Sequence, residues 1–316
     1  MKPLKLLVAA ALCLALLVTA PAAHAWRQPV LNLGLTNVLD GAAPPPGLYL
    51  SMYTLVSTAP SANVKDAALL AAFPNLSKLD STTTAIAPQI IWVTPYKCPV
   101  TGANLGFDFF PVLGSISADL AESGLPAGAV NNSPVGDVYF GPFLAFHHVF
   151  GEWQLHWVAE FDSIAPAGQY DNTKILQLAS NHWTIEPFVA FTLFTPGGFE
   201  LSSRMMYTYN FENDDFGGAH SKMTPGQAFH MNYTLTACLG SQKLRGGIVG
   251  YYLQQLDEDE IDGVKINDSE ERAFAVGPVI WYNKGDFIFE AKTLFDVDVQ
   301  NRPKAVTGVL RIVYNF

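Results

Sequence analysis

The sequence predicts an all-β fold: a transmembrane, antiparallel up-and-down β-barrel of about twelve strands, with both termini on the periplasmic side. Three observations predict it. Short runs of alternating apolar and polar residues recur from Gly47 onward, the spacers between them alternate between tight and long, and aromatic residues gather at both ends of the apolar stripes. The last run shows the alternation most plainly. Val306, Gly308, Leu310, Ile312, Tyr314 and Phe316 point one way, and Thr307, Val309, Arg311, Val313 and Asn315 the other. One apolar face and one face bearing Arg and Asn suit a wall between lipid and a wet lumen.

In chain order, residues 1–25 read as a secretory signal peptide. Lys2 and Lys5 precede an apolar run at 6–17, and Ala23-His24-Ala25 supplies a small-x-small cleavage site. Residues 26–46 come before the first strand and carry the stiff stretch Pro44-Pro45-Pro46. They either fold into the barrel mouth as a partial plug or lie in the periplasm. Residues 47–316 form the barrel, with strands expected at 47–57, 82–96, 103–116, 136–149, 153–164, 182–195, 199–210, 227–239, 244–255, 271–282, 286–297 and 304–316. Twelve is an even number, as closed bacterial barrels require.

The spacers set the topology. Those after even-numbered strands are tight, at 98–102, 151–152, 196–198, 241–243 and 283–285. Those after odd-numbered strands are mostly long, at 58–81, 117–135, 165–181, 211–226 and 256–270, with a shorter one at 298–303. Short periplasmic turns and long outer loops produce this sorting, whereas a soluble sandwich has no reason to sort its loops by length. Within the first long spacer, 64–79 holds an Ala/Leu-rich stretch that reads as a short helix packed in the loop.

Three strands alternate cleanly. Phe199, Leu201, Met205, Tyr207 and Tyr209 oppose Glu200, Ser202, Arg204, Thr208 and Asn210; Phe229, Met231, Tyr233 and Leu235 oppose His230, Asn232, Thr234 and Thr236. Trp153, Leu155, Trp157 and Phe161 oppose Gln154, His156, Glu160 and Asp162. Aromatics mark both ends of the apolar stripe, with Trp153, Phe199, Phe287 and Phe316 on the turn side and Phe161, Trp183, Tyr209, Phe229 and Phe295 on the loop side. Two aromatic belts match two lipid–water interfaces.

Composition excludes several functions. Removing the signal with its two lysines takes the formal charge from −10 to −12, which argues against nucleic acid, a ligand bound through Lys and Arg. Charged residues make up 15% of the chain, below the roughly 25% of soluble domains. Two cysteines remain after the signal, Cys98 and Cys238. Six strands apart in a ring of twelve, they are expected to stay free thiols.

The runs Gly136-Asp137-Val138-Tyr139-Phe140-Gly141-Pro142, Asn181-His182-Trp183-Thr184-Ile185-Glu186-Pro187, Gly226-Gln227-Ala228-Phe229-His230, Tyr251-Tyr252-Leu253-Gln254-Gln255 and Asn301-Arg302-Pro303 resemble those of one outer-membrane barrel family. That family is associated with the meta-cleavage pathway of phenol degradation and with transport. The closing strand, with Tyr314 and the terminal Phe316, also resembles the assembly signal of bacterial outer-membrane barrels. The resemblance implies a barrel that admits apolar or aromatic compounds.

The inward positions collect His156, Glu160 and Asp162, His182 and Glu186, Glu200 and Arg204, His230 and Asn232, Glu290 and Lys292, and Arg311. Mixed signs across a narrow lumen can brace the wall as ion pairs or filter solutes by size and charge. His156, Glu160, His182, Glu186 and His230 could approach one another, yet they form no compact ligand motif, so no metal or other cofactor is expected. The acidic run Asp257-Glu258-Asp259-Glu260 with Asp262 reads as a solvated outer loop. Enzyme chemistry is not expected either: His220-Ser221 sits in a Gly-rich loop without an evident third partner, and His147 and His148 face opposite ways. The expected function is a passive outer-membrane channel for small apolar or aromatic solutes. Its expected partners are outer-membrane lipid, lipopolysaccharide and the barrel assembly machinery. The alternatives are a structural or adhesive barrel and a barrel-embedded hydrolase.

Overall fold

The computed structural model describes residues 27–28 and 32–316; the signal peptide expected at 1–25 lies outside them. Twelve strands close into one antiparallel barrel: β1 (Gly47–Ala59), β2 (Asp80–Lys97), β3 (Asn104–Asp119), β4 (Val135–Phe150), β5 (Trp153–Ala165), β6 (Thr184–Phe194), β7 (Phe199–Asn210), β8 (Ala228–Cys238), β9 (Leu244–Gln255), β10 (Arg272–Lys284), β11 (Phe287–Gln300) and β12 (Val306–Asn315). Each pairs with its sequence neighbour, and β12 returns to β1 with Tyr49 opposite Asn315 and Thr58 opposite Val306. The count and sorted loops match the sequence expectation. His182 is the main shift at a boundary: the sequence pattern puts it at the start of a strand, but β6 begins at Thr184.

The wall is two-faced because side chains alternate along every strand. On β7, Phe199, Leu201, Met205, Tyr207 and Tyr209 are exposed while Glu200, Ser202, Thr208 and Asn210 are buried. Exposed aromatics mark both ends of the outer face, Trp153, Phe199 and Phe287 at the turns and Phe161, Trp183 and Phe295 toward the loops. Such an outer surface can be satisfied only by lipid, and the closed ladder leaves no strand edge unpaired. No helix among the described residues is long and apolar enough to cross a membrane.

The long loops interlock above the barrel. A helix at Ala67–Ala72, capped by Asp66, carries Leu69 into a buried cluster with Leu76, Leu79, Leu125, Ala129, Ile175 and Leu176. Loops after β7 and β9 share a small sheet built from Asn213–Phe216, Ser221–Thr224, Glu260–Ile261 and Val264–Lys265. Cys98 and Cys238 are free thiols.

Candidate functional site

The barrel interior is occupied by the chain's own N-terminal segment. Its apolar side chains pack on opposite walls: Leu35 joins Tyr53, Phe110, Tyr139 and Ile164, and Val38 joins Val249, Leu253, Ala275 and Leu294. Its backbone comes so close to β6 that a Cβ on Gly41 would stand 2.3 Å from the Phe191 Cα. Only glycine fits there.

Polar groups fix the segment strand by strand. Asn32 Nδ2 donates to Glu186. Glu186 also accepts from Thr208 Oγ1 and lies against His230 Nε2, both at 2.8 Å. Asn232 accepts from the Gly34 N–H at 2.8 Å and donates to the Asn32 carbonyl at 3.1 Å. Lys292 Nζ donates to Glu290 at 2.8 Å, to the Leu35 carbonyl at 2.8 Å and to Asn37 at 2.7 Å. Glu200, held by Ser202 and Thr236, accepts from the Leu39 N–H at 3.1 Å. Arg204 forks onto Asp40 at 3.0 and 2.7 Å, and its guanidinium lies 3.9 Å over the Phe188 ring. Arg311 donates to Ser51 at 3.1 Å and stands 3.8 Å from Glu290. Charges taken out of water are tolerable only when paired and hydrogen-bonded in this way.

At the outer end Arg27 meets Asp259, and Asp66 at 3.3 Å, while its N–H donates to Glu271 at 2.5 Å. Burial opposes the Arg27 charge, but Asp259, Asp66 and Glu271 outweigh it and raise its pKa. This corrects the reading of the acidic run as a solvated loop at one position: Asp259 is buried because the N-terminal segment delivers an arginine to it, while Asp257, Glu260 and Asp262 are exposed.

Eight of the expected inward residues therefore gather around one strand of chain: Glu186, Glu200, Arg204, His230, Asn232, Glu290, Lys292 and Arg311. Glu160 and Asp162 form a separate group with Asp108, a residue the sequence reading missed. His182 is buried in the loop before β6, its Nδ1 3.2 Å from the Trp183 carbonyl, and burial pushes its pKa down to about 4. His156 stands apart: it stacks on His147 of the adjacent strand with ring centroids 4.1 Å apart, close to the β4–β5 turn. Of His156, Glu160, His182, Glu186 and His230, the hydrogen bonds join only Glu186 and His230. In the outer loop His220 pairs with Asp215, and Ser221 bonds to Asp262.

Two cavities lie in sequence along the wall beside the N-terminal segment. The outer one, about 90 Å³, is lined by Leu33, Leu35, Leu55, Ile116, Tyr251 and Val309 together with Asp296 and Arg302, among others. The inner one, also about 90 Å³, is lined by Asp40, Tyr53, Asp108, Glu160, Arg204 and Arg311 among others. On β1 the lining passes from Leu55 to Tyr53, and on β12 from Val309 to Arg311. Leu35 and Tyr53, 3% and 1% exposed, belong to one buried cluster, Leu35 lining the outer cavity and Tyr53 the inner one.

Residues 61–312 match the family described as "Putative MetA-pathway of phenol degradation". The chain belongs to this family. No curated protein matches it. Among solved structures, an outer membrane channel from Pseudomonas putida F1 aligns with a TM-score of 0.75 at 18% identity, covering 89% of this chain and 100% of that one. That similarity shows a shared fold. The translocator domain of an autotransporter from Neisseria meningitidis aligns with a TM-score of 0.43 at 10% identity, covering 87% of this chain and 90% of that one. At this level of similarity it carries no argument. The family, the closed twelve-strand wall and its lipid-facing exterior place the chain in the bacterial outer membrane.

Proposed function

We propose that this protein is a passive outer-membrane channel for small apolar or aromatic molecules, with residues 26–46 acting as a constricting plug. The observation that carries the reading is the pair of cavities beside the N-terminal segment, the outer one mostly apolar with Asp296 and Arg302 in its wall, the inner one lined by Asp40, Asp108, Glu160, Arg204 and Arg311. A solute entering from the loops meets Leu33, Leu35, Leu55 and Ile116 in a cavity whose wall also carries Asp296 and Arg302. It then passes Arg204, Arg311, Glu160 and Asp40, which would set size and charge limits as pore-lining side chains do. The family's association with phenol degradation supports the same reading, as does the shared fold with the Pseudomonas putida channel. Lipid and lipopolysaccharide surround the barrel, and the assembly machinery reads Tyr314 and Phe316.

The deciding experiment compares a deletion strain with its parent. The deletion strain should take up a small aromatic more slowly at low external concentration, where the outer membrane limits flux. Liposomes carrying the purified protein should admit the same solute. Equal uptake by both strains, together with tight liposomes, would leave a structural barrel as the better account.

A further inference from the structure

Asp108 on β3 and Glu160 and Asp162 on β5 each place a carboxylate oxygen within 4.8 Å of the others, and all three residues are buried. Strands two apart stand roughly 9–10 Å apart at the backbone, so an ordinary side chain on β4 would come between them. The residue there is Gly141. Asp108 is opposite Gly141, and the β4–β5 register on either side, Phe140 opposite Ser163 and Phe143 opposite Glu160, sets Asp162 on its other flank. A Cβ on Gly141 would lie 2.5 Å from the Phe161 carbonyl oxygen and 2.9 Å from the Asp162 Cα. The missing side chain lets the two flanking acids meet over the strand between them.

Polar neighbours hold two of these acids in place. Gln89 Nε2 donates to Asp108 Oδ2 at 2.7 Å, and the Ser163 N–H donates to Asp162 Oδ1 at 2.8 Å. Asp108 Oδ1 and Glu160 Oε1 are fully buried and receive no donor from the described residues around them; the two carboxyl groups lie against each other. Both residues are 9% exposed and line the inner cavity. Arg204, the cation near them, already directs two donors to Asp40. Elsewhere in the lumen Glu186 is answered by His230, Glu200 by hydroxyls and Lys292 by Glu290.

We propose that Asp108, Glu160 and Asp162 form a binding site for one divalent hard cation, Ca²⁺ fitting best, inside the lumen beside the N-terminal segment. The donor set is all carboxylate oxygen, which suits Ca²⁺ or Mg²⁺ and not the softer metals. Ca²⁺ ligands stand about 2.3–2.6 Å from the ion, so donors on opposite sides are up to roughly 5 Å apart. The oxygen spacing here falls inside that span, and the cavity leaves room for waters to complete the shell. A bound ion would be held by the three groups as carboxylates and tie β3 to β5 across Gly141. The site does not depend on which solute the channel admits.

The test uses the full-length barrel purified in detergent, stripped with EDTA and titrated calorimetrically with CaCl₂. One Ca²⁺ should bind per barrel, and MgCl₂ should bind more weakly. D108N/E160Q keeps side-chain size while removing two charges; it should retain the heat-modifiable folded form and lose at least tenfold in affinity. D162N alone should weaken binding in the same direction, which keeps the test open if the double variant folds poorly. E258Q/E260Q in the outer loop should bind like the parent. No binding by the parent at millimolar Ca²⁺, full binding by D108N/E160Q or D162N, or loss in the loop variant would overturn the proposal.

Discussion

Arg204, on the seventh barrel strand, holds Asp40 of the N-terminal segment through two hydrogen bonds of 2.7 and 3.0 Å, 164 residues away in sequence. The pair is largely shielded, with side chains 14% and 4% exposed. Removing one member of such a pair strands the other, at a cost of about 3–5 kcal/mol. Asp40→Ala should therefore loosen the segment at its inner end while the wall stays closed. Planar-bilayer recordings should show larger or more frequent openings than the parent; an unchanged current would mean that the segment does not limit passage.

Leu35→Ala tests whether this side chain separates the two cavities. Truncation should cost about 2–5 kcal/mol of packing and widen the outer cavity toward the inner one. Uptake of a small aromatic should rise in liposomes, with the effect largest for the bulkiest solute tested. Replacement by Met, similar in volume, should restore parental rates.

Gly141→Ala should damage the wall itself. The added carbon would stand 2.5 Å from a backbone oxygen of the facing strand, and neither backbone can yield cheaply. Less heat-modifiable protein should reach the outer membrane. Gly102, whose Cβ would meet nothing within 4 Å, is the control for space, although its own φ of +71° adds backbone strain.

His182 should make the loop before the sixth strand acid-sensitive. Burial holds its pKa near 4 against an ordinary 6.5, so the closed loop binds fewer protons than the opened one. Its stability is whole above about pH 6.5 and declines as pH falls toward 4, by about 3 kcal/mol at the limit. Protease cleavage within 166–183 should increase at pH 5 relative to pH 7, and His182→Asn should flatten that dependence.

Deleting Phe316 tests the assembly signal. The ring is 71% exposed and packs edge-on against Tyr314, at 4.9 Å between centroids, so its loss removes little internal packing. A fall in folded protein in the outer membrane would then report recognition by the assembly machinery. Unchanged levels would mean that the terminus carries no such signal.

The wall was legible in the sequence because its determinants are local: period-two alternation on strands such as 199–210, and loops sorted by length. The interior was legible only by half. Arg204 and Glu186 announce themselves as charges on an otherwise apolar-alternating strand, but nothing near Asp40 or Asn32 says what they meet. Their partners are 164 and 154 residues away. Asp108 was missed within the aromatic run 105–110, although its neighbours Phe107 and Phe109 face outward, 41% and 45% exposed. A lone acid between two lipid-facing rings must point inward, and that rule would have found it.

The route of the N-terminal segment constrains the order of assembly. Arg27 is anchored among the outer loops, whereas Gly47 opens the first strand at the turn end. The segment thus runs the length of a tube whose seam is the contact between first and last strands. Were the seam to zip first, some twenty residues, including Arg27 and Asp40, would have to thread through a finished pore. Wrapping the wall around a segment already in place avoids that passage. The last strand then acts as a clasp, fastened once the contents are packed.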